Sequence, residues 1–234
     1  MSQVTDFLYA HTQASQSKAA LIILPEIFGV KDFTRELAAK VQTELGIDSY
    51  VLDHFYAVTG KVQTFAYDDM SGAEIMDQMT GELYLPHLAR AVALVRERQP
   101  ELERLVIWGF CFGGKLAYLS GVNPAITDIV SCYGGASVSP GFYAGDSAVQ
   151  ALARARHQDK ALRVLGIFGE HDPMIPSADR DKIHSLLTEA KIQHEIKSYD
   201  AGHAFFNADR EDRYVQSAAE QAWEDISAFL SIRP

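Results

Sequence analysis

The chain has 234 residues, 47% apolar and 22% charged, a balance that supports a continuous hydrophobic core and belongs to globular proteins, not to disordered or membrane ones. A formal net charge of −10, with no local Lys/Arg cluster against it, opposes attraction to phosphate backbones and argues against nucleic acid as a partner. Two cysteines are too few for a disulfide framework, Met1–Ala10 lacks the pattern of a signal peptide, and no apolar run reaches membrane-spanning length, so a reducing cytoplasm away from membranes is the expected setting.

In chain order, an opening strand is expected over Val4–His11, at an antiparallel edge. Strand-like runs then recur at Ala19–Leu24, Ser49–Leu52, Arg104–Trp108, Thr127–Cys132, Leu162–Phe168 and His194–Tyr199, each short, apolar and closed by Gly, Pro or Asp. Helical spacing lies between them. Asp32–Leu45 carries Phe33, Leu37, Val41 and Leu45 along one face, and Leu83–Arg98 repeats the pattern with Leu88, Val92 and Val95. Further helices are expected at Gly114–Ser120, Ser177–Ala190 and Arg213–Leu230. Strands joined through crossover helices run parallel and are covered on both faces, so this alternation predicts a single α/β domain over residues 1–234, a three-layer α/β/α sandwich with a mostly parallel sheet. The interruption is His54 to Thr80, rich in aromatic, Gly, Asp and Met residues. It reads either as a wall of a substrate pocket or as a structural excursion. Cys132, inside a strand-like run, reads as a buried thiol.

The most informative stretch is Leu105-Val-Ile-Trp-Gly109-Phe-Cys111-Phe-Gly113-Gly114, a strand entering a helix through a G-x-C-x-G turn. A nucleophile on such a corner has a strained backbone, and side chains two positions away would clash, which glycines at 109 and 113 avoid. The corner also presents the thiol at the carboxyl edge of the sheet, beside a helix N-terminus that favours thiolate. Phe168-Gly-Glu-His-Asp172-Pro follows a later strand directly, and Asp200-Ala-Gly-His203-Ala-Phe205 follows the next. Nucleophile, acid, base is the α/β-hydrolase order, with Asp172 fixing the tautomer and orientation of His203. His171 is the strongest rival base, but its adjacency to Asp172 makes cooperation awkward. His54, His87, His157, His184 and His194 read as surface residues or polar caps. Early in the chain, Leu21-Ile-Ile-Leu-Pro25-Glu26-Ile27-Phe28-Gly29-Val30 leaves a buried strand. In this fold the oxyanion donors are the amide after the nucleophile, here Phe112, and one from this early loop, here Ile27. Glu26, taken alone, reads equally as a solvated loop acid or a helix-start charge.

Together these four ordered motifs resemble the dienelactone hydrolase (carboxymethylenebutenolidase) family, a cysteine-using branch of the α/β-hydrolases. The likeness spans nearly the whole chain. It implies thiolate attack on a lactone or small ester, an acyl-enzyme thioester, hydrolysis by water that His203 activates, and no metal or organic cofactor. It also implies that Glu26 pairs with the cysteine and is redirected on substrate binding so that the thiol loses its proton, and it puts Phe205 and Asn207 at the substrate. The chain departs from the family where an arginine grips a substrate carboxylate. Asn207 stands in that neighbourhood, Arg210 is offset, and no arginine occurs between Arg35 and Arg90, which leaves room for a neutral substrate. Two rival readings keep the fold: a non-catalytic small-molecule-binding or thiol redox-sensing protein, and an acyltransferase that passes the thioester to an alcohol or amine. The oligomeric state is not encoded in composition.

Overall fold

The computed structural model describes residues 1–11 and 17–231. The chain opens with a hairpin, β1 (Ser2–Thr5) and β2 (Leu8–His11), and then alternates: β3 (Ala19–Leu24), α1 (Asp32–Leu45), β4 (Asp48–Leu52), α2 (Tyr56–Thr59), α3 (Ser71–Gln78), α4 (Gly81–Arg98), β5 (Arg104–Phe110), α5 (Phe112–Ser120), β6 (Asp128–Cys132), α6 (Ala148–Ala155), β7 (Arg163–Gly169), α7 (Ser177–Glu189), β8 (Gln193–Tyr199) and α8 (Gln216–Ser231). Among the described residues the strands form one eight-stranded sheet in the order β1-β2-β4-β3-β5-β6-β7-β8. Pairing is antiparallel at β1-β2 and β2-β4 and parallel from β4 through to β8.

The central strands are apolar because both of their faces are covered: Leu21, Ile22, Ile23 and Leu24 of β3 have no exposed surface. Each such side chain contributes about 1.5–3 kcal/mol relative to exposure. Helices α1 and α8 pack together, while α4, α5, α6 and α7 form a contiguous series, which gives the expected three layers. None of the described helices is long and apolar enough to cross a membrane.

Three differences from the sequence expectation have local causes. The run Val4–His11 is two strands, not one: the chain turns at Asp6-Phe7, and the Phe7 carbonyl accepts the Asp53 amide (2.8 Å), anchoring the turn at the end of β4. Helix α8 starts later than Arg213 because the Val215 amide is donated to the Phe205 carbonyl (3.1 Å), which keeps the preceding residues in a looped segment. Helix α6 has no counterpart among the expected helices, although Ser147-Ala-Val-Gln150 carries its signal: the Ser147 side chain accepts the Gln150 amide and the Gln150 side chain accepts the Ser147 amide, a capping box.

At the amino edge of the sheet, Asp128 is 2% exposed and accepts hydrogen bonds from Arg104 Nε and Arg163 Nε, both at 2.7 Å. The same two guanidinium groups donate to the Leu230 and Phe229 carbonyls, so one carboxylate organises the C-terminal end of α8 against two strands. Asp128→Ala strands two guanidinium groups without their counter-charge. It is expected to cost about 3–5 kcal/mol, read as a lower urea midpoint with an unchanged denaturant slope.

Candidate active site

Cys111 sits between β5 and α5 with φ 53° and ψ −116°, a left-handed backbone for a residue with a side chain. The expected role of the flanking glycines has a direct geometric basis. A Cβ on Gly109 would stand 1.9 Å from the Gly113 carbonyl oxygen, and one on Gly113 would stand 2.3 Å from the Leu24 carbonyl oxygen. The turn is therefore possible only with bare backbone at both positions. The thiol is half-buried at the N-cap of α5, where Gly114 and Lys115 donate to the Cys111 carbonyl.

Parallel strands bring the other motifs to the same carboxyl edge. Asp172 follows β7 and His203 follows β8. Asp172 Oδ2 accepts a hydrogen bond from His203 Nδ1 at 2.7 Å, and its Oδ1 accepts the Met174 amide at 2.8 Å, so both carboxylate oxygens are engaged. Asp172 is 4% and His203 8% exposed. Burial opposes charge on the imidazole, but the Asp172 hydrogen bond and the neighbouring Cys111 thiol outweigh it and push the His203 pKa up to about 10. Among the described residues His203 Nε2 is buried and meets no partner at full hydrogen-bond geometry, while the Cys111 thiol acts on the ring. The rival His171 instead pairs with Asp200 (2.6 Å) on the surface.

Glu26 is 4% exposed and does not hydrogen-bond to the thiol. Its carboxylate accepts from Tyr133 Oη (3.4 Å) and Asn207 Nδ2 (3.3 Å) and lies 4.0 Å from Arg210 Nη1. Burial raises its pKa, while Arg210, His203, Asn207 and Tyr133 act in the other direction. Phe112 directly follows Cys111, Ile27 lies on the loop after β3, and neither backbone amide is engaged as a donor among the described residues.

Phe205 is fully buried against Tyr133 and Tyr199, so it braces the site from the core. Asn207, 1% exposed, is a ligand of Glu26 and of Tyr67 Oη (3.3 Å). His54 and His87 are buried, not surface residues or caps. Burial pushes the His54 pKa down to about 3, and its ring packs on Phe55 and Phe112.

Sequence reading missed Tyr133, which has φ 39°, no exposed surface, a hydroxyl on Glu26 and a ring 5.2 Å from that of His203. Its only sequence signal is its place directly after β6. Arg210, offset in sequence, reaches Glu26 because the loop after His203 folds back, and its guanidinium lies over the Phe28 and Tyr67 rings. Cavities of about 510 and 790 Å³ lie between α1 and α8 and at the amino edge of the sheet, and neither is lined by Cys111 or His203. Among the described residues no three His, Cys, Asp or Glu side chains are grouped to hold a metal ion.

Comparison with known proteins agrees with this architecture. The pattern of the dienelactone hydrolase family matches residues 6–232. The "Putative carboxymethylenebutenolidase" of Salmonella typhimurium is 27% identical over 233 residues, covering 95% of this chain and 81% of that protein. In structure, the chain is similar to a "Putative Dienelactone Hydrolase" from Klebsiella pneumoniae (TM-score 0.82, 23% identity, 97% and 92% of the two chains). It is also similar to the alpha/beta hydrolase MGS-M1 from a deep-sea metagenome (TM-score 0.64, 14% identity, 95% and 90%). These two likenesses show the fold, which is that of the α/β-hydrolases.

His203 has a folded-state pKa above its unfolded value of 6.5, so the stability it contributes is complete below about pH 6.5 and is lost as pH rises through about 10. The melting-temperature advantage of the wild type over Asp172→Asn should therefore shrink between pH 7 and pH 10. An advantage that stays constant over that range contradicts the assignment.

Proposed function

Because the chain belongs to the dienelactone hydrolase family and is thus a hydrolase of carboxylic esters or lactones, we propose that it works through Cys111 as nucleophile, His203 as acid and base, and Asp172 as the group orienting His203. The observation that carries this reading is the Asp172–His203 hydrogen bond of 2.7 Å in a buried site, with the thiol of a strained, half-buried Cys111 raising the basicity of the same imidazole. A charged imidazole beside the sulfur is the counter-ion of the thiolate that forms when the thiol gives up its proton.

The thiolate attacks the carbonyl carbon, and the oxyanion takes hydrogen bonds from the Ile27 and Phe112 amides. On collapse the carbon–oxygen bond to the leaving group breaks, and His203 gives that oxygen its proton. Acylation removes the negative charge from sulfur, and with it part of what held the His203 pKa high. The imidazole can then take a proton from water, which attacks the thioester, releases the acid and restores the thiolate. None of these steps requires a cofactor.

Glu26 and Arg210 bear on the substrate. Without an arginine the site would suit neutral substrates. With the Arg210 guanidinium half-sandwiched by Phe28 and Tyr67 and 4.0 Å from Glu26, it suits an ester or lactone bearing a carboxylate. A substrate carboxylate that engages Arg210 removes the main electrostatic support of ionised Glu26. Glu26 then becomes a stronger base, available to the thiol.

Cys111→Ala is expected to abolish turnover of a short p-nitrophenyl ester while the far-ultraviolet circular dichroism stays unchanged. Cys111→Ser should lower it severely, because the serine hydroxyl is far harder to ionise. Turnover persisting in the alanine variant rejects the nucleophile, and a redox-sensing protein would show reversible Cys111 oxidation without turnover. For substrate charge, Arg210→Met should raise KM for a carboxylate-bearing ester about tenfold or more, the value of one charge-assisted hydrogen bond. KM for a matched neutral ester should change little, and equal KM effects on both esters rule out the carboxylate contact.

A further inference from the structure

The segment between β4 and α4 does more than enclose space, because its backbone is locked onto the loop that carries Glu26 and Ile27. The Phe65 amide is donated to the Phe28 carbonyl (3.0 Å), and Thr64 forms an antiparallel bridge with Gly29. Lys31 Nζ donates to the Phe65 carbonyl (3.0 Å). The strap is itself anchored below, where Asp53 accepts the Gln63 and Phe55 amides at 3.1 and 3.0 Å.

Two glycines record how close this contact is. Gly29, at φ 75°, packs so tightly on the strap that a Cβ would lie 2.0 Å from the Gln63 carbonyl oxygen. Gly72, the one buried residue of α3, meets the Ile27 carbonyl, and a Cβ there would lie 1.8 Å from that oxygen. Side chains of ordinary size are excluded at both points.

The consequence for Ile27 follows from peptide planarity. The Gly29 amide is donated to the Glu26 carbonyl (3.2 Å), so the direction of that carbonyl is set. The Glu26–Ile27 peptide is trans and planar, so the Ile27 N–H must point the opposite way. Gly29 aims this peptide and the strap holds Gly29, while Gly72 and the Phe65 amide hold the next two carbonyls.

We infer that residues 63–72 are a positioning strap for the oxyanion donor, with Gly72 and Lys31 as positioning residues that never touch substrate. The inference rests on the hydrolase reading above, in which the Ile27 amide stabilises the oxyanion.

The test compares rates on a short p-nitrophenyl ester and on the matched thionoester, whose sulfur anion gains little from hydrogen-bond donors. In Gly72→Ala the Ile27 carbonyl must move. The expected result is a kcat lowered about tenfold or more, part of the 10²–10³ that a lost oxyanion donor costs. KM on the oxo ester should stay within about twofold, and the oxo-to-thiono rate ratio should fall in step with kcat. Lys31→Met, which removes one anchor at a half-buried position, should lower kcat and the ratio in the same direction by a smaller factor, and it decides the matter if Gly72→Ala does not fold. Folded variants with wild-type kcat, or with both esters slowed equally, overturn the strap while leaving Cys111 chemistry intact. A wild type that turns over neither ester overturns both readings.

Discussion

The backbone of Cys111 is held in a region of conformational space that side-chain-bearing residues enter at a cost of about 1–3 kcal/mol. That cost is met because β5 enters α5 with bare glycine at 109 and 113, where any side chain would collide with the Gly113 or Leu24 carbonyl. From this corner the sulfur is raised out of the core to the carboxyl edge of the sheet. Parallel strand order then does the rest. Since β6, β7 and β8 follow β5 in register, the loops after β7 and β8 necessarily open at the same edge, and Asp172 and His203 meet there although 31 residues separate them.

Around that corner the electrostatics divide into two connected halves. Asp172 and the thiol stabilise a charged His203, while Arg210, Tyr133 and Asn207 support a buried Glu26 that burial alone would neutralise. Tyr133 belongs to both, with its hydroxyl on Glu26 and its ring against His203. Burial raises its own pKa well above the ordinary value, so it remains a hydrogen-bond donor throughout the working pH range. Asn207 is braced in turn by Tyr67 and by the turn that carries Asp209. Glu26 is thus connected to the loop after His203 through named hydrogen bonds.

The insertion after β4 ties this polar network to the framework. Its backbone meets the Glu26–Lys31 loop along several consecutive residues, and Tyr67 of the same insertion reaches Asn207 and Asp209. An irregular segment of this length is costly in conformational entropy. Here that cost is offset by carbonyls and amides that pair across the contact, and by Asp53, whose pKa burial lifts to about 6 while the Gln63 and Phe55 amides pull it down.

The sequence by itself determined the layered fold and the placing of the Cys111, Asp172 and His203 motifs at one edge of the sheet, because these follow from short-range rules: hydrophobic periodicity marks each strand and helix, glycine spacing marks the sharp turn, and chain order sets which loops share an edge. It also carried the signal for α6 in Ser147 and Gln150. Contacts between distant segments were decided only by the tertiary structure. Arg210 lies seven residues past His203, and nothing in that spacing says that the loop folds back onto Glu26. Phe205 and Asn207 follow His203 closely in the chain, yet only the fold sets Phe205 against Tyr133 and Asn207 against Glu26. His54 and His87 look like ordinary polar residues until the packing of Phe112, Phe7 and Tyr56 covers them. Local propensity acts over a few residues, whereas burial and charge pairing depend on which surfaces finally close on one another, and that is a property of the whole fold.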